Sequence, residues 1–334
     1  MLAMIVNAPG GLENVVASDI AEPPPVGKGE VLLEVHASSL NFHDYAVGSG
    51  MFPVGDGRIL LSDAAGEISA VGEGVEAFAV GDAVMSTFYA HWEDGTPRSG
   101  RLGIYGDELD GFARKRVVLP ATSLTRSPKG YSHLDSASFC CAGLTAWRGL
   151  ISNGRLKPGE QVLVQGSGGV SVFALQIAKA MGAHVIATSS SDEKLEWLRS
   201  LGADQVVNYR TTPAWGDVVR KLSGGGVDHV IDVGGPATLP QSIAAVCRGG
   251  HIAFIGLLSG SDGPIPTTLM LRKEVRLIAV SVGSRQHQRE MVRGIEGLGI
   301  KPWIDRVFPL DQLADALRYQ QSGTHRGKIG IAIR

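Results

Sequence analysis

The sequence predicts an α/β protein in two parts, an irregular β-rich domain and a doubly wound parallel sheet, and three observations predict it. The first third of the 334-residue chain consists of short alternating stretches broken by Gly and Pro, such as Glu30-Val31-Leu32-Leu33-Glu34-Val35-His36-Ala37, the pattern of half-buried strands. From about residue 141 to residue 300, strand-like runs alternate with helical ones, as a parallel sheet with crossover helices requires. Within that stretch, Gln161-Val162-Leu163-Val164-Gln165 leads through Gly166-Ser167-Gly168-Gly169 into apolar residues at helical spacing over 170–181. Strand, glycine turn and helix in that order read as a dinucleotide-binding start.

The elements follow in order. The β-rich domain is expected over 1–124, and the alternating domain over 125–300, with strands at 162–165, 184–187, 205–207, 229–232, 251–255 and 276–280. After Pro302 come a short strand, a helix over 311–322 and the apolar end Ile329-Gly330-Ile331-Ala332-Ile333, so that 301–334 returns to the first domain. The chain shows no internal repeat and no low-complexity tract.

Composition narrows the function classes. A hydrophobic content of 44% allows a large core, and a net charge of −2 gives no basic field for nucleic acid. Apolar windows are interrupted before the roughly 18 residues of a membrane span. The start lacks a basic leader, and the three cysteines, Cys140, Cys141 and Cys247, form no even framework, so the expected location is cytoplasmic.

In the glycine turn, Gly166 suits the tight bend and Gly168 lets backbone approach a pyrophosphate, whose charge faces free N–H groups at the helix start. Ser167, Gly169 and Val170 complete that turn, and Ser171 stands where a third glycine is usual. Where an NAD enzyme places a carboxylate on the ribose, about 20 residues further on, this chain has Thr188-Ser189-Ser190-Ser191. Small hydroxyls leave room for a 2′-phosphate, and Lys194, Tyr209 and Arg210 supply donors and positive charge. NADP(H) is therefore the expected cofactor. The plainer account of Ser190 to Lys194 is a capped, solvated helix start.

Further motifs carry a resemblance. Asp63-Ala64-Ala65-Gly66-Glu67-Ile68-Ser69-Ala70-Val71-Gly72-Glu73-Gly74-Val75, then Val80-Gly81-Asp82-Ala83-Val84, Ala142-Gly143-Leu144-Thr145-Ala146-Trp147, the glycine turn and Val282-Gly283-Ser284-Arg285 occur in that order. Over nearly its whole length the chain resembles the medium-chain dehydrogenase/reductase superfamily. The resemblance implies a GroES-like catalytic domain and a Rossmann NADP-binding domain. In the zinc-dependent alcohol dehydrogenases of that superfamily the metal ligands match Asn41, Ser62 (beside Asp63) and Cys141 here, and the four-cysteine structural lobe matches a stretch over 91–112 without cysteine. Catalytic zinc needs three protein ligands, so no metal is expected. A rearranged site from His43, Asp44 and Asp63 is the alternative.

Leu40-Asn41-Phe42-His43-Asp44 resembles a segment of the zinc-independent quinone-oxidoreductase-like branch. By that resemblance Asn41 touches the nicotinamide ribose or the substrate oxygen, and Thr145 lies against the nicotinamide. The implied reaction is zinc-independent hydride transfer from NADPH to a quinone or an α,β-unsaturated carbonyl, acceptors that delocalise the incoming charge. Candidate proton donors are Tyr45 and His43, against ordinary packing for the tyrosine and a local hydrogen bond for the histidine. Gly256, Leu257 and Leu258 are expected to wall the nicotinamide pocket, with Val282 and Gly283 nearby. Arg285 reaches a phosphate or the carboxamide unless it is a solvated helix-start arginine. The apolar run 276–281 suggests an edge strand paired in a homodimer. Two rival readings stand beside this one: an alcohol dehydrogenase acting on simple alcohols or aldehydes, and a non-catalytic NADPH-binding redox-sensing protein.

Overall fold

A computed structural model describes every residue except 98, 99 and 101, so the stretch 91–112, where the four-cysteine lobe would fall, lies partly outside the described residues. The chain forms two compact units, Met1–Leu144 with Gly283–Arg334, and Thr145–Val282. The first unit contains β1 (Leu2–Val6), β2 (Val15–Asp19), β3 (Glu30–Ser39), β4 (Arg58–Ile59), β5 (Ala65–Val71), β6 (Ala83–Ser86), β7 (Arg116–Pro120) and β8 (Leu124–Arg126). The second contains β9 (Gln161–Gln165), β10 (His184–Ser189), β11 (Gln205–Asn208), β12 (Val227–Asp232), β13 (Val246–Phe254) and β14 (Arg276–Ala279). The chain then returns to the first unit with β15 (Ile304–Pro309) and β16 (Lys328–Ala332). The helices are α1 (Phe42–Gly48), α2 (His133–Ser138), α3 (Leu144–Trp147), α4 (Gly169–Ala180), α5 (Asp192–Ser200), α6 (Trp215–Leu222), α7 (Leu239–Ala245), α8 (Thr267–Arg272), α9 (Arg285–Leu298) and α10 (Leu313–Gln321).

The first unit is the irregular β-rich part. Its larger sheet runs β15-β16-β3-β5-β6-β8, with β7 also on β3, and a small sheet runs β2-β1-β4. Along β3, Val31, Leu33 and Val35 alternate inward and are fully buried, which is the period of two read in the sequence. They pack with Ile68, Phe112, Leu124, Leu313 and Ile331. The terminal strand β16 joins this sheet between β15 and β3.

The second unit is a six-stranded sheet in the order β11-β10-β9-β12-β13-β14, parallel throughout. Numbered within the unit, that is 3-2-1-4-5-6, the doubly wound dinucleotide-binding order. Every residue of β9 from Val162 to Gln165 is buried, because helices cover both faces of such a sheet. The order reverses between β9 and β12, so the C-terminal end of β9 is the topological switch point where ligands bind.

The units part at Leu144 and Val282, whereas the sequence suggested cuts near 124 and 300. The intervening segments are largely helical, yet they bond within the first unit. Ser39 Oγ donates to the Ala137 carbonyl at 3.3 Å, and Gln288 Nε2 in α9 donates to the Ser86 carbonyl and to Thr125 Oγ1, both at 2.9 Å. Among the described residues, no helix is long and apolar enough to cross a membrane.

Candidate active site

In the first unit a buried polar cluster forms where β3 runs into α1. Asp44 Oδ2 accepts the Asn41 N–H at 2.7 Å, closing the first turn of α1, and Asp44 Oδ1 accepts the Ser62 N–H at 2.8 Å. One carboxylate thus ties two chain segments together, which accounts for the Asn-x-x-Asp spacing. Leu61, just before Ser62, holds a φ of 76°, a left-handed conformation that costs a residue of this kind about 1–2 kcal/mol. Its carbonyl accepts the Phe112 N–H at 2.9 Å, which helps to hold the bend.

These constraints bring Asn41, Ser62 and Asp63 together. Asn41 Nδ2 donates to Asp63 Oδ2 at 2.8 Å and to Ser62 Oγ at 3.2 Å, and Ser39 Oγ donates to Asp63 Oδ2 at 2.8 Å. From the start of β16, Lys328 Nζ donates to Asn41 Oδ1 and to the Leu40 carbonyl, each at 2.6 Å, and lies 3.8 Å from Asp63 Oδ2. The lysine side chain is 3% exposed and that of Asp63 is 0% exposed. Burial pushes the Asp63 carboxyl up to about 7, against the pull of the Lys328 ammonium, and the charge of Asp44 adds to the rise. Asp63 Oδ1 is buried without a hydrogen-bond partner. A carboxyl in that state can hold a proton at neutral pH.

Lys328 is the residue that sequence reasoning missed. Its signal was a single charge opening an otherwise apolar strand, Lys328-Ile329-Gly330-Ile331-Ala332. A lysine at a strand end usually reads as solvated.

The candidate proton donors lie elsewhere. Tyr45 turns to a surface groove beside Arg318, and its hydroxyl accepts from Gln321 Nε2 at 2.9 Å. His43 packs near Phe52 and Phe88, with Nε2 3.2 Å from an Asp107 carboxylate oxygen. Neither joins Asn41. Arg285 is also reassigned. Its Nε donates to the Leu124 carbonyl at 2.8 Å and its Nη1 meets Glu93 at 3.1 Å, so the guanidinium staples the first unit instead of reaching a phosphate. Gly283, packed beside Leu144 and His287, belongs to the same unit.

In the second unit the glycine turn has the form a pyrophosphate needs. Gly166 sits at φ 78°, and a Cβ built on Gly166 or Gly168 would project into open space. Gly168 precedes α4 without a capping side chain, leaving the N–H groups around Gly169 and Val170 available to an anion. Ser171 Oγ donates to the Gln165 carbonyl at 2.5 Å, binding the helix to its strand where a glycine is usual. Ser189, at the end of β10, is buried, Ser190 is half-buried, and Tyr209 is exposed. Lys194 donates its N–H to Ser191 Oγ at 3.2 Å, so the helix start is capped, and Asp192 and Glu193 precede the lysine in its first turn.

Asp232 closes β12 beneath the neighbouring loop. Its Oδ1 accepts the N–H groups of Gly234 at 3.1 Å and Gly235 at 3.0 Å and the Thr238 hydroxyl at 2.6 Å, while Oδ2 accepts Ser242 Oγ at 2.6 Å. A Cβ on Gly256 would strike the Val233 carbonyl, so this loop lies directly on the Gly256 segment. Leu257 and Leu258 extend from that segment with exposed side chains. Val282 holds a φ of 46°, unusual for a β-branched residue, and Arg148 Nη1 donates to the carbonyls of Ser281 and Val282, each at 3.2 Å. Thr145 is buried in α3.

The residues do not fit a catalytic zinc. Asn41 and Ser62 are not normal zinc ligands, the Cys141 thiol is pushed well above its ordinary value by burial and by Asp63, and a lysine ammonium bonds to Asn41 Oδ1 itself. No group of three His, Cys, Asp or Glu residues with metal-binding geometry occurs among the described residues, so the rearranged set of His43, Asp44 and Asp63 does not form one either.

Known proteins match this architecture. Residues 27–129 match the alcohol dehydrogenase GroES-like domain and residues 169–296 the zinc-binding dehydrogenase family. A zinc-type alcohol dehydrogenase-like protein of Schizosaccharomyces pombe is 41% identical, across 97% of this chain and 96% of its own. An acryloyl-coenzyme A reductase of Metallosphaera sedula is 34% identical, across 98% and 99%. The crystal structure of an NAD-dependent alcohol dehydrogenase is similar with a TM-score of 0.91 and 33% identity, over 100% of both chains. Sequence motifs, fold and relatives agree: the chain belongs to the medium-chain dehydrogenase/reductase superfamily and is an oxidoreductase.

Proposed function

We propose that this chain is a zinc-independent, NADPH-dependent reductase of α,β-unsaturated carbonyl compounds or quinones. The observation that carries the reading is the cluster around Asn41, in which an amide and a hydroxyl stand where zinc enzymes of the superfamily have metal donors and a lysine ammonium bonds the amide oxygen. A metal contributes several kcal/mol by polarising a substrate oxygen. Without that contribution, the favoured acceptor spreads its new charge over an enolate or a hydroquinone. The 34% identity to a protein named acryloyl-coenzyme A reductase supports the same acceptor class.

Bound NADPH supplies the hydride. Gly166, Ser167, Gly168 and the start of α4 hold its pyrophosphate, and Ser189, Ser190, Lys194 and Tyr209 surround the 2′-phosphate. The absence of an acid at the end of β10 favours NADPH, although one protein of similar structure is an NAD-dependent alcohol dehydrogenase. Asn41 orients the substrate carbonyl through the N–H now shared with Ser62 at 3.2 Å, the longer of the two bonds its amide nitrogen donates. The edge strand β14 pairs with a second copy across a twofold axis, and sedimentation of the purified protein reports that dimer.

The test is NADPH oxidation by metal-free protein, compared with NADH, using a quinone, an enone, an unsaturated acyl thioester and a simple aldehyde. Turnover of the conjugated acceptors with NADPH is expected. Activity confined to the aldehyde and restored by zinc overturns the reading in favour of an alcohol dehydrogenase. Tight NADPH binding with no acceptor consumed favours a cofactor-binding protein without turnover.

A further inference from the structure

We infer that Lys328 is a positioning residue of this reaction: its buried ammonium locks the Asn41 amide with the oxygen turned inward and both N–H bonds committed to the opposite side. The inference rests on the reading of Asn41 as the group that orients the substrate carbonyl.

Hydrogen-bond chemistry fixes the orientation. An ammonium only donates, so the Asn41 atom 2.6 Å from Lys328 Nζ must be the carbonyl oxygen. Asp63 Oδ2 already accepts the Ser39 hydroxyl and lies 3.8 Å from the ammonium, so any proton on this carboxyl sits on the unpartnered Oδ1 and the Asn41 atom 2.8 Å from Oδ2 is the amide nitrogen. Turning the amide over would set N–H groups against the ammonium and the oxygen against the carboxylate, two repulsions inside a buried site. A buried asparagine without such a pair of neighbours can often be satisfied either way. Here, Lys328 and Asp63 select one arrangement, and the Ser62 hydroxyl takes the remaining N–H.

A buried ammonium is costly, and replacing a buried ion pair by apolar residues of similar size is often neutral or stabilising. Stability alone is therefore a weak reason for this lysine. Its Nζ reaches the Leu40 carbonyl as well as Asn41 Oδ1, so it bonds the residue before Asn41 in addition to the side chain. The chain reaches the lysine through Gly327 at φ 66°, where a Cβ would strike the Trp303 carbonyl, and the Lys328 N–H donates to that same carbonyl at 2.9 Å. The strand start is thereby held, and with it the ammonium.

The experiment uses the full chain as wild type, Lys328→Met, and the neutral pair Asp63→Asn with Lys328→Met. Three quantities are read: kcat and KM for an enone, thermal stability, and the side-chain amide signals of Asn41 in a proton–nitrogen correlation spectrum, assigned by their absence from Asn41→Ser. In Lys328→Met, kcat falls about 100-fold while KM and NADPH affinity stay within about threefold, and the Asn41 signals shift. The neutral pair regains the stability lost in the single variant without regaining kcat. Recovery of kcat in the neutral pair overturns the inference, because charge balance alone would then explain the lysine. Unmoved Asn41 signals in Lys328→Met overturn it as well, whatever the turnover. A wild type inert toward every acceptor sinks the reductase reading separately and leaves the amide signals to decide the role of Lys328.

Discussion

Replacing Asp232 by Ala should cost the second unit about 3–4 kcal/mol, and the figure follows from the partners of its carboxylate. Four donors converge on it: the N–H groups of Gly234 and Gly235 and the hydroxyls of Thr238 and Ser242. The Thr238 hydroxyl keeps a partner after the change, since Oγ1 also lies 3.0 Å from the Gly235 carbonyl. The other three lose their acceptor at a site that is 0% exposed, at about 1–1.5 kcal/mol each. Asp232→Asn retains one oxygen for the loop donors and loses chiefly the charge and the Ser242 bond, about 1–2 kcal/mol. Urea unfolding followed by the fluorescence of Trp197 and Trp215 measures both variants. Because the Gly234–Gly235 loop lies on the Gly256 segment, NADPH affinity measured by nucleotide fluorescence should weaken about tenfold in Asp232→Ala, the equivalent of about 1.4 kcal/mol. Equal losses in the two variants, or a loss below about 0.5 kcal/mol in Asp232→Ala, would refute this account of the loop.

Three other predictions concern the same unit. Gly168→Val should leave the melting temperature nearly unchanged, because Gly168 has a φ of −80° and open space beside it, yet weaken NADPH binding by more than about tenfold as its side chain enters the pyrophosphate path; normal titration calorimetry would count against the cradle. Ser190→Asp sets a carboxylate against a 2′-phosphate, and at about 5 Å in a half-exposed site the repulsion is about 1.5–3 kcal/mol, or about 10–100-fold in favour of NADH; an unchanged ratio of dissociation constants speaks against the phosphate site. His251 is held down to about 4 by burial, then by His229 and Arg276, with His229 Nδ1 3.4 Å from its own Nδ1. Since the folded state binds this proton less readily than the unfolded chain, stability is full above about pH 6.5 and declines by about 3 kcal/mol as pH falls to about 4. That slope should flatten in His251→Phe when unfolding is followed across the range.

The parallel sheet was legible because its strands are continuous apolar runs and its turn residues are glycines, both short-range signals. Strand and helix ends were less so: β13 begins at Val246, five residues before the expected start, where pairing with Val227 holds a Gly-Gly stretch that carries no strand pattern of its own. At the candidate site, Asn41 and Asp44 stood out through the resemblance of Leu40–Asp44 to a segment of the zinc-independent branch. Lys328 did not, being 287 residues from Asn41. Arg285 reads like an anion contact at a helix start, and only the fold reveals that its donors meet Leu124 and Glu93, more than a hundred residues earlier. Tyr45 shows the limit of proximity in sequence, since four residues beyond Asn41 its hydroxyl meets Gln321.

The position of β16 inside the larger sheet sets an order of assembly on the ribosome. Thr145–Val282 is contiguous and has all its strands once Val282 has been synthesised. The unit that begins first must wait, because the end of β3 at Ala37–Ser39, beyond its pairing with β7, is paired on that edge by Gly330–Ala332. Until that strand emerges, β3 offers unpaired backbone groups to passing chains, and Asn41 has no ammonium beside it. A nascent chain can therefore complete the strands of its parallel-sheet unit before the buried cluster of Asn41, Asp63 and Lys328 exists.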